Sequence, residues 1–434
     1  MDSTTQNGPN VRRLAVDLLR RVDNGANTDK LLAEPHGLSD PDTRLLREIV
    51  LGTLTWRLSL DHHLGVYLSR PLARQKPALR TLLRSAAYQI LHLDRVPSYA
   101  VVSETVDLAR KHGKGIAAMT NAVLRGIAEG RKPVSIPDIE TDPITHLSLS
   151  CSHPTWILDR WVARFGVEKT KQICEANNAR PPITIRLNES RTTIRGLTDA
   201  LAEEGIRLTP IPGLATHGQV DAPLGLFTTQ AYQKGWFSVQ GPGAGRASTL
   251  LTAQPGETVL DVCAAPGGKS IAAAQSPGVR VFASDMSHHR LGRLTQNCER
   301  LGLSISSIVA DARVLPLRHL FDHVWVDAPC TGLGTLARHP EIRWRRHAED
   351  TARMSELQLE ILRGASEAVK PGGCLLYTTC TTEPEENEQV VESFLQNDAR
   401  FFVDDLDRRE SEVNVLPDSP GVDGAYGIRL KKLP

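Results

Sequence analysis

The stretch DVCAAPGGKS, residues 261–270, decides the fold of the C-terminal part of the chain. It ends an apolar run, TVLDVC, and opens a helical segment, so a strand, a glycine-rich turn and a helix are predicted in that order. The GGKS ending is that of a P-loop, but a P-loop requires glycine where this chain has Cys263. The G-x-G-x-x-G fingerprint of dinucleotide sites is missing too. What remains is a turn whose backbone can approach a polar ligand closely.

Four further apolar runs follow the first one and alternate with amphipathic helical stretches. The runs are RVFASD, SIVAD, HVWVD and CLLYTTC, and HHRLGRLTQNCERLG and SELQLEILRGASEAV are among the stretches between them. Buried parallel strands joined by helices have this pattern, which predicts a Rossmann-like, doubly wound α/β sheet. YGIRLKKL near the end of the chain is predicted to add an antiparallel edge strand.

Aspartates recur at the ends of these strands. Asp285, Asp311 and Asp327 end the second, third and fourth runs, and Asp261 lies within the first. A single aspartate in such a place is more typical of a turn or a helix cap, but the repetition weakens that interpretation. Ligands of doubly wound sheets bind beyond the carboxyl ends of the strands, where an acid suits the hydroxyls of a ribose. A nucleoside pocket follows, and S-adenosylmethionine fits it.

The rest of the chain predicts two further domains. Residues 1–145 contain amphipathic segments such as VRRLAVDLLRRV and PALRTLLRSAAYQILHL and form an all-helical domain. The proline-rich segment GRKPVSIPDIETDP ends it. Residues 146–238 mix helix and strand in a small α/β subdomain, and residues 239–434 form the domain with the doubly wound sheet. The fold class is therefore multi-domain, an all-α domain followed by α/β domains.

Composition limits the class of protein. The chain has 434 residues, a net charge of +1 and seven cysteines without metal-ligand spacing, so reduced thiols are expected. We find neither a leader pattern nor a long apolar run, and we expect a cytoplasmic protein that does not bind membranes. Charge is uneven, because residues 383–423 hold 13 acidic and 3 basic side chains. A polyanion is expected to avoid that segment.

Three motifs in the same order resemble those of the RNA cytosine-5 methyltransferases of the Fmu/Sun/NOP2 group. They are DVCAAPGGKS, DAPCTG followed by RHPEIRW, and YTTCTTEPEENE. The helical domain is similar to the NusB-like RNA-binding domain of the members that act on 16S ribosomal RNA. The resemblance implies that S-adenosylmethionine is bound by Cys263, Ala264, Ala265, Pro266, Gly267, Gly268, Lys269, Asp285, Asp311 and Asp327. It also implies that Cys380 is the nucleophile and that Cys330 assists.

The chemistry explains why such an enzyme needs thiols. Cytosine C5 is a poor nucleophile until a group adds to C6, and a thiolate adds well and can leave again. Asp327 could hydrogen-bond the exocyclic amine and N3 of the base and stabilise the charge that develops on addition. Cys330 could help the final elimination. Cys298 and Cys374 lie in predicted helix and strand and are expected in the core.

RNA is the expected partner, and no obligate protein partner is evident. RHPEIRWRRH places Arg338, Arg343, Arg345 and Arg346 around Trp344, which suits a phosphate backbone and a stacked base, although such runs are often only solvated surface. Arg12, Arg13, Arg20 and Arg21 give a weaker form of the same signal.

The chain departs from the family pattern at a few positions. Gly241 stands where an acid is common, Ala310 where glycine is common, Thr331 and Thr381 where serines are common, and Ala425 where an aromatic is common. Two other functions stay open. One is a cytosine methyltransferase that uses Cys330 as its nucleophile, and the other is an RNA-binding assembly factor that keeps the cofactor fold without turnover.

Overall fold

The computed structural model describes residues 10–221, 225–317, 319–404 and 411–434. The chain forms two compact units. The first consists of the chain up to Asn178 together with His339–Arg345, and the second of Ala179–Arg338 and Arg346–Pro434. The domain boundaries predicted after residues 145 and 238 stay predictions, because this division is coarser. No described helix has the length and apolar character needed to cross a bilayer.

Helices build the first unit. They are α1 Val11–Asp23, α2 Thr28–Ala33, α3 Asp40–Thr55, α4 Arg57–Tyr67, α5 Pro77–His92, α6 Ser98–Ala109, α7 Lys114–Ala128, α8 Pro143–Cys151, α9 Thr155–Phe165 and α10 Val167–Asn178. Short 3-10 turns lie at Leu72–Arg74 and Arg110–His112. The amphipathic segments predicted in this part of the chain are helical, and their apolar faces are buried. α1 and α3, for example, share a core that contains Leu18, Leu19 and Ile49.

A small antiparallel sheet begins the second unit. Its strands are β1 Ile183–Leu187, β2 Arg207–Ile211, β3 Leu214–Asp221 and β4 Phe237–Val239, in the order β2-β3-β1-β4. The helices of this region are α11 Ile194–Glu203, α12 Gln230–Gln233 and α13 Pro242–Ser248. Ile185, Leu197 and Phe237 pack in one core, so α11 covers a face of this sheet. This is the small α/β subdomain that the alternation of strand and helix patterns predicts.

A larger mixed sheet dominates the second unit. Its strands are β5 Thr258–Asp261, β6 Arg280–Asp285, β7 Ile305–Val309, β8 Phe321–Asp327, β9 Val369–Thr379, β10 Phe401–Val403, β11 Glu412–Val415 and β12 Ala425–Lys432. The connecting helices are α14 Gly268–Ala274, α15 His288–Leu301, α17 Glu349–Ser366 and α18 Glu388–Asn397, and α16 Ile342–Arg345 belongs to the first unit. The strand order is β7-β6-β5-β8-β9-β12-β10, and β11 also pairs with β12.

The sheet confirms the predicted doubly wound fold and corrects one strand. β5, β6, β7, β8 and β9 pair in parallel. β12 is antiparallel, as predicted for YGIRLKKL, but it is not an edge strand, because β9 lies on one side of it and β10 and β11 on the other. The prediction was wrong on this point since the short strands β10 and β11 were not recognised in the sequence.

The interpretation of RHPEIRWRRH as an RNA-binding surface is wrong for Arg343, which is buried, and stays a prediction for Trp344 and Arg345, which are partly buried. Arg343 is 1% exposed. Its guanidinium donates to the carbonyl groups of Thr55, Ser152 and Asn177 and to the side-chain oxygen of Asn178. The Trp344 indole N–H donates to the Leu54 carbonyl over 2.7 Å, and Arg345 donates to the carbonyls of Val22 and Ala26. These donors are occupied inside the first unit.

The positions of these carbonyl groups explain how a buried arginine is tolerated there. Leu54 and Thr55 lie in the last turn of α3, and Asn177 lies in the last turn of α10. The last four carbonyls of a helix have no partner within it, and the helix dipole is negative at that end. Arg343 and Trp344 therefore cap helix C-termini, and the dipoles offset part of the cost of burying the positive charge.

Candidate active site

The carboxyl ends of the central strands place the predicted acidic residues along one edge of the large sheet. β5 ends at Asp261, β6 at Asp285 and β8 at Asp327. Because these strands run in parallel, their ends meet at the same edge. Asp327 pairs in register with Thr378, next to the end of β9. Cys330 is the third residue after β8, and Cys380 directly follows β9.

The turn between β5 and α14 has the backbone that the sequence predicts. Gly267 has φ = 115°, and a Cβ there would lie 2.4 Å from a methyl group of Leu294. Any side chain would therefore be both strained and obstructed. The Ala264 N–H donates to the Ser284 carbonyl over 3.0 Å, which fixes the turn against β6. Cys263 sits in this turn, and burial raises the pKa of its thiol, which disfavours the reactive thiolate.

Asp285 links the turn to the end of β6. It is 4% exposed. One carboxylate oxygen accepts from the Ala265 N–H over 3.2 Å and the other from the Ser287 N–H over 2.9 Å. Arg290 approaches to 3.6 Å and also donates to the Ala265 carbonyl. The carboxylate is thus fixed in position, and an ionised acid there suits paired hydroxyl groups.

Asp261 is the buried acid of the site. It is 1% exposed and accepts a hydrogen bond from the Ser270 hydroxyl over 2.6 Å. Its second oxygen, Oδ1, has no partner among the described residues. Burial raises the pKa of Asp261 to about 7. An unpartnered buried carboxylate oxygen favours a ligand that brings a cation or a donor, so this edge of the sheet fits a nucleoside with a positively charged group.

Lys269, the last residue of the PGGK turn, forms an ion pair with Asp327. The Nζ to Oδ1 distance is 2.6 Å, and the side chains are 11% and 33% exposed. Thr378 donates to the same carboxylate oxygen over 3.1 Å. Burial lowers the pKa of Lys269, but the charge and hydrogen bond of Asp327 outweigh it and the net shift is upward. The sequence predicted both residues in the site without indicating that they would be paired.

Asp311 differs from the other strand-end acids. It follows β7, and its carboxylate accepts hydrogen bonds from the Arg313 guanidinium, the shortest over 2.7 Å. The hydrogen bonds from Arg313 lower the pKa of Asp311. The structure places Asp311 at the expected edge of the sheet with its oxygens engaged by a neighbour, and its role in holding a ligand stays a prediction.

The two cysteines at the ends of β8 and β9 lie together. The Cys330 and Cys380 sulfurs are 3.1 Å apart and do not form a disulfide bond. The Gly334 N–H donates to the Cys380 carbonyl over 3.0 Å, which ties the two loops to each other. The hydrogen bond to Cys380, reinforced by burial, raises the pKa of Cys330 well above its usual range.

A buried glutamate behind the thiol pair was missed in the sequence. Glu386 is fully buried, and its carboxylate accepts hydrogen bonds from the N–H and hydroxyl of Thr331 and from the Gln358 amide. The run EPEENE is typical of solvated surface, yet Glu383 is also buried. Asp423 is buried too, so three acids of the segment 383–423, which a polyanion was expected to avoid, are internal. The one feature of the sequence that could have indicated a buried glutamate is the cluster of glutamates shortly after Cys380.

The remaining sequence expectations can be checked against burial. Cys298 and Cys374 lie in the core, as predicted, at 5% and 4% exposure. Arg338 and Arg346 serve the fold of the second unit, since Arg338 pairs with Asp423 over 2.8 Å and Arg346 donates to the carbonyls of the Cys330 loop. Both arginines are partly exposed, and their part in RNA binding stays a prediction.

Two departures from the family pattern have a structural explanation. A Cβ on Gly241 would lie 2.3 Å from a carboxylate oxygen of Asp423, so Asp423 occupies the space that a side chain at 241 would need. Thr331 and Thr381 keep the hydroxyl of the serines they replace, and their hydroxyl oxygens are 3.0 Å apart. Nothing in the structure explains Ala310.

Comparison with known protein families assigns three parts of the chain. Residues 248–431 match the family described as 16S rRNA methyltransferase RsmB/F, residues 9–129 the NusB family, and residues 153–218 the ferredoxin-like domain of RsmF/B-like methyltransferases. The NusB-like domain predicted from the sequence is confirmed. The match at 153–218 contains the small antiparallel sheet only in part, since β4 lies beyond it.

Full-length relatives and solved structures agree with this assignment. Ribosomal RNA small subunit methyltransferase B of Vibrio cholerae is 33% identical over 98% of both chains, and that of Erwinia tasmaniensis is 31% identical over 98% of this chain and 99% of its own. The crystal structure of PH0851 superposes with a TM-score of 0.81 at 26% identity and covers 97% of this chain and 98% of its own. NSun6 from Pyrococcus horikoshii, solved with SFG, covers 65% of this chain at 20% identity with a TM-score of 0.56 and shares the fold.

Proposed function

The chain belongs to the ribosomal RNA small subunit methyltransferase B family, and we propose that it transfers a methyl group from S-adenosylmethionine to C5 of a cytosine in 16S ribosomal RNA. The observation that carries the proposal is the pair of cysteine sulfurs 3.1 Å apart at the strand ends. The charge of Cys380 also acts on Lys269, which pairs with Asp327, so thiols and ion pair share one site. Covalent activation of a base needs such a set of groups.

The residues that would hold the cofactor are those of the glycine-rich turn, 263–269, with Asp285, Asp311 and Asp327. The support comes from the fixed carboxylate of Asp285 and the unpartnered oxygen of Asp261. When bound, S-adenosylmethionine supplies an electrophilic methyl group on a sulfonium. The protein's part is to orient the nucleoside through the turn and the carboxylates.

Cys380 is proposed to add to C6 of the target cytosine. A carbon–sulfur bond forms, the C5–C6 double bond opens, and the electron pair makes C5 nucleophilic. Asp327, with Lys269 beside it, would hydrogen-bond the exocyclic amine and N3 and stabilise the charge that develops there. After C5 has gained the methyl group, a base removes the C5 proton and the C5–C6 double bond re-forms. The carbon–sulfur bond breaks in the same step, and its electron pair returns to the sulfur of Cys380.

Cys330 is proposed to assist that elimination rather than to attack. The hydrogen bond to Cys380 and burial raise the pKa of Cys330, which favours the protonated thiol. A protonated thiol 3.1 Å from the leaving sulfur can give it a proton as the carbon–sulfur bond breaks. The target base has to be exposed or flipped out of a helix to reach the two thiols. We place the reaction in the cytoplasm, in keeping with free thiols.

Bisulfite sequencing of ribosomal RNA tests the proposal. A strain that lacks the protein should convert one cytosine of the small-subunit RNA that the parent strain protects. Protection should return with the wild-type gene and not with Cys380→Ala. If no cytosine changes in the deletion strain, C5 of small-subunit RNA is not the target. If Cys380→Ala restores subunit assembly in a strain with an assembly defect, the protein acts there as an assembly factor.

A further inference from the structure

We propose that Glu386 is a positioning residue that holds the Cys330 loop against the Cys380 loop and so keeps the two sulfurs within reach of each other. The inference rests on the proposed function for its meaning, since the positioned thiol is the one assigned to the elimination step. It goes beyond that function because it gives a role to a residue that would touch neither the base nor the cofactor.

The contacts of Glu386 join three elements around the thiol pair. Its side chain accepts from the Thr331 N–H over 2.8 Å, from the Thr331 hydroxyl, and from the Gln358 amide over 3.0 Å. Gln358 also donates to the Pro329 carbonyl over 2.9 Å. The Tyr377 hydroxyl donates to the Glu386 carbonyl over 2.6 Å. Pro329 and Thr331, on both sides of Cys330, are therefore tied to the 3-10 turn Pro384–Glu386, which follows Cys380.

The chemistry of these partners selects a carboxylate. A backbone N–H, a hydroxyl and an amide all donate to Glu386, and an ionised acid is the side chain that only accepts. Burial raises the pKa of Glu386, against the hydrogen bonds from Thr331 and Gln358. A glutamine can keep one oxygen on the two N–H donors and turn its amide toward the Thr331 hydroxyl, which can accept. Glu386→Gln should thus preserve the loop, and Glu386→Ala should release it.

Glu386 also hydrogen-bonds the side chain of Thr381, but the position of Cys380 depends on the glutamate less than that of Cys330 does. Cys380 directly follows the last residue of β9, and its carbonyl accepts from the Gly334 N–H. Cys330 lies in a loop whose other anchor is Arg346, which donates to the carbonyls of Cys330 and Thr331. Loss of Glu386 should leave Cys380 able to attack while Cys330 moves away from it.

Disulfide formation between the two thiols measures their proximity without RNA. Oxidised dithiothreitol takes two electrons and two protons from Cys330 and Cys380, the sulfur–sulfur bond forms, and dithiothreitol is reduced. Mass spectrometry of the 330–380 linked peptide gives the rate. We expect Glu386→Ala to form the bond about tenfold more slowly than wild type, and Glu386→Gln to stay within about threefold. Glu356→Gln, an exposed change on α17, is the matched control.

The outcomes separate cleanly. A wild-type rate in Glu386→Ala overturns the inference. If Glu386→Ala does not fold, Gln358→Leu, which removes the donor to both Glu386 and Pro329, is measured instead, and an unchanged rate there overturns it equally.

RNA methylation then tests the link to catalysis. With a 16S transcript, the single-turnover methylation rate of Glu386→Ala should stay within about threefold of the wild-type rate. Its multiple-turnover rate should fall about tenfold or more, and a protein–RNA adduct should accumulate. Glu386→Gln should restore release. Equal losses in both assays contradict a role in release. If wild type itself methylates no cytosine while the disulfide rates still differ, the proposed function fails and the positioning role stands.

Discussion

Replacing Asp285 by asparagine should weaken binding of S-adenosylmethionine while leaving the fold intact. The side chain is 4% exposed, and its two oxygens accept from the N–H groups of Ala265 and Ser287. Asparagine has the same size but offers one acceptor oxygen, so its NH₂ group must face an N–H donor. One buried donor then loses its partner, at a cost of about 1 to 3 kcal/mol.

The unpaired N–H lowers the stability of the free and the bound protein alike, whereas the charge lost from the pocket weakens binding. A ribose hydroxyl held by a carboxylate is bound more strongly than one held by an amide. Loss of the carboxylate should cost about 2 to 4 kcal/mol of binding free energy, or tens- to hundreds-fold in Kd. Isothermal titration calorimetry with S-adenosylmethionine measures the change. Glu299→Gln, an exposed change on the helix that follows Asp285, is the control and should bind as wild type does. Wild-type affinity in a folded Asp285→Asn protein would refute the placement of the pocket.

Three further perturbations test other parts of the account. The pKa of Asp261 is raised from 3.8 to about 7, so between these pH values the folded state binds the proton more than the unfolded state does. The free energy of unfolding should therefore fall as pH rises from 3.8 to about 7, and urea unfolding of Asp261→Asn should lack this pH dependence. Arg343→Met leaves several helix-terminal carbonyls without donors and should lower the free energy of unfolding of the first unit by on the order of 3 kcal/mol, measured with urea. Arg353→Met, at an exposed position, is the control and should change the free energy of unfolding by less than about 0.5 kcal/mol. Arg13→Glu with Arg20→Glu, both exposed, should weaken binding of a 16S transcript and lower its salt slope by about two, and an unchanged slope would show that this face does not meet phosphates.

Much of the site could be predicted because parallel sheets obey a strong rule. Ligands bind where the strands end, so Asp285 and Asp327 were found from apolar runs alone, without any contact being known. The glycine-rich turn was predicted equally well, because its conformation at Gly267 excludes any side chain and so requires a glycine in the sequence. The apolar runs do not indicate which side chains from different strand ends contact each other. The ion pair of Lys269 with Asp327 is an example, because it depends on how the strands are placed in the folded sheet.

The errors have a common physical origin. A run of charged residues predicts a solvated surface, and the sequence does not reveal distant groups that satisfy buried charges. Arg343 is buried because carbonyls at the ends of α3 and α10 accept its donors, and Glu386 is buried because Thr331 and Gln358 supply donors from two other elements. Likewise, the acidic run after Cys380 is part of the scaffold of the thiol pair as well as of the surface.

Denaturing gel electrophoresis of the two cysteine variants tests the central claim most directly. In the proposed mechanism Cys380 attacks the base, and Cys330, whose sulfur lies 3.1 Å away, serves release. With a 16S transcript and S-adenosylmethionine, Cys330→Ala should accumulate a protein–RNA species that survives denaturation, and Cys380→Ala should form none and transfer no methyl group. An adduct with Cys380→Ala and none with Cys330→Ala would make Cys330 the nucleophile, and full multiple-turnover activity in both variants would contradict covalent catalysis by either thiol.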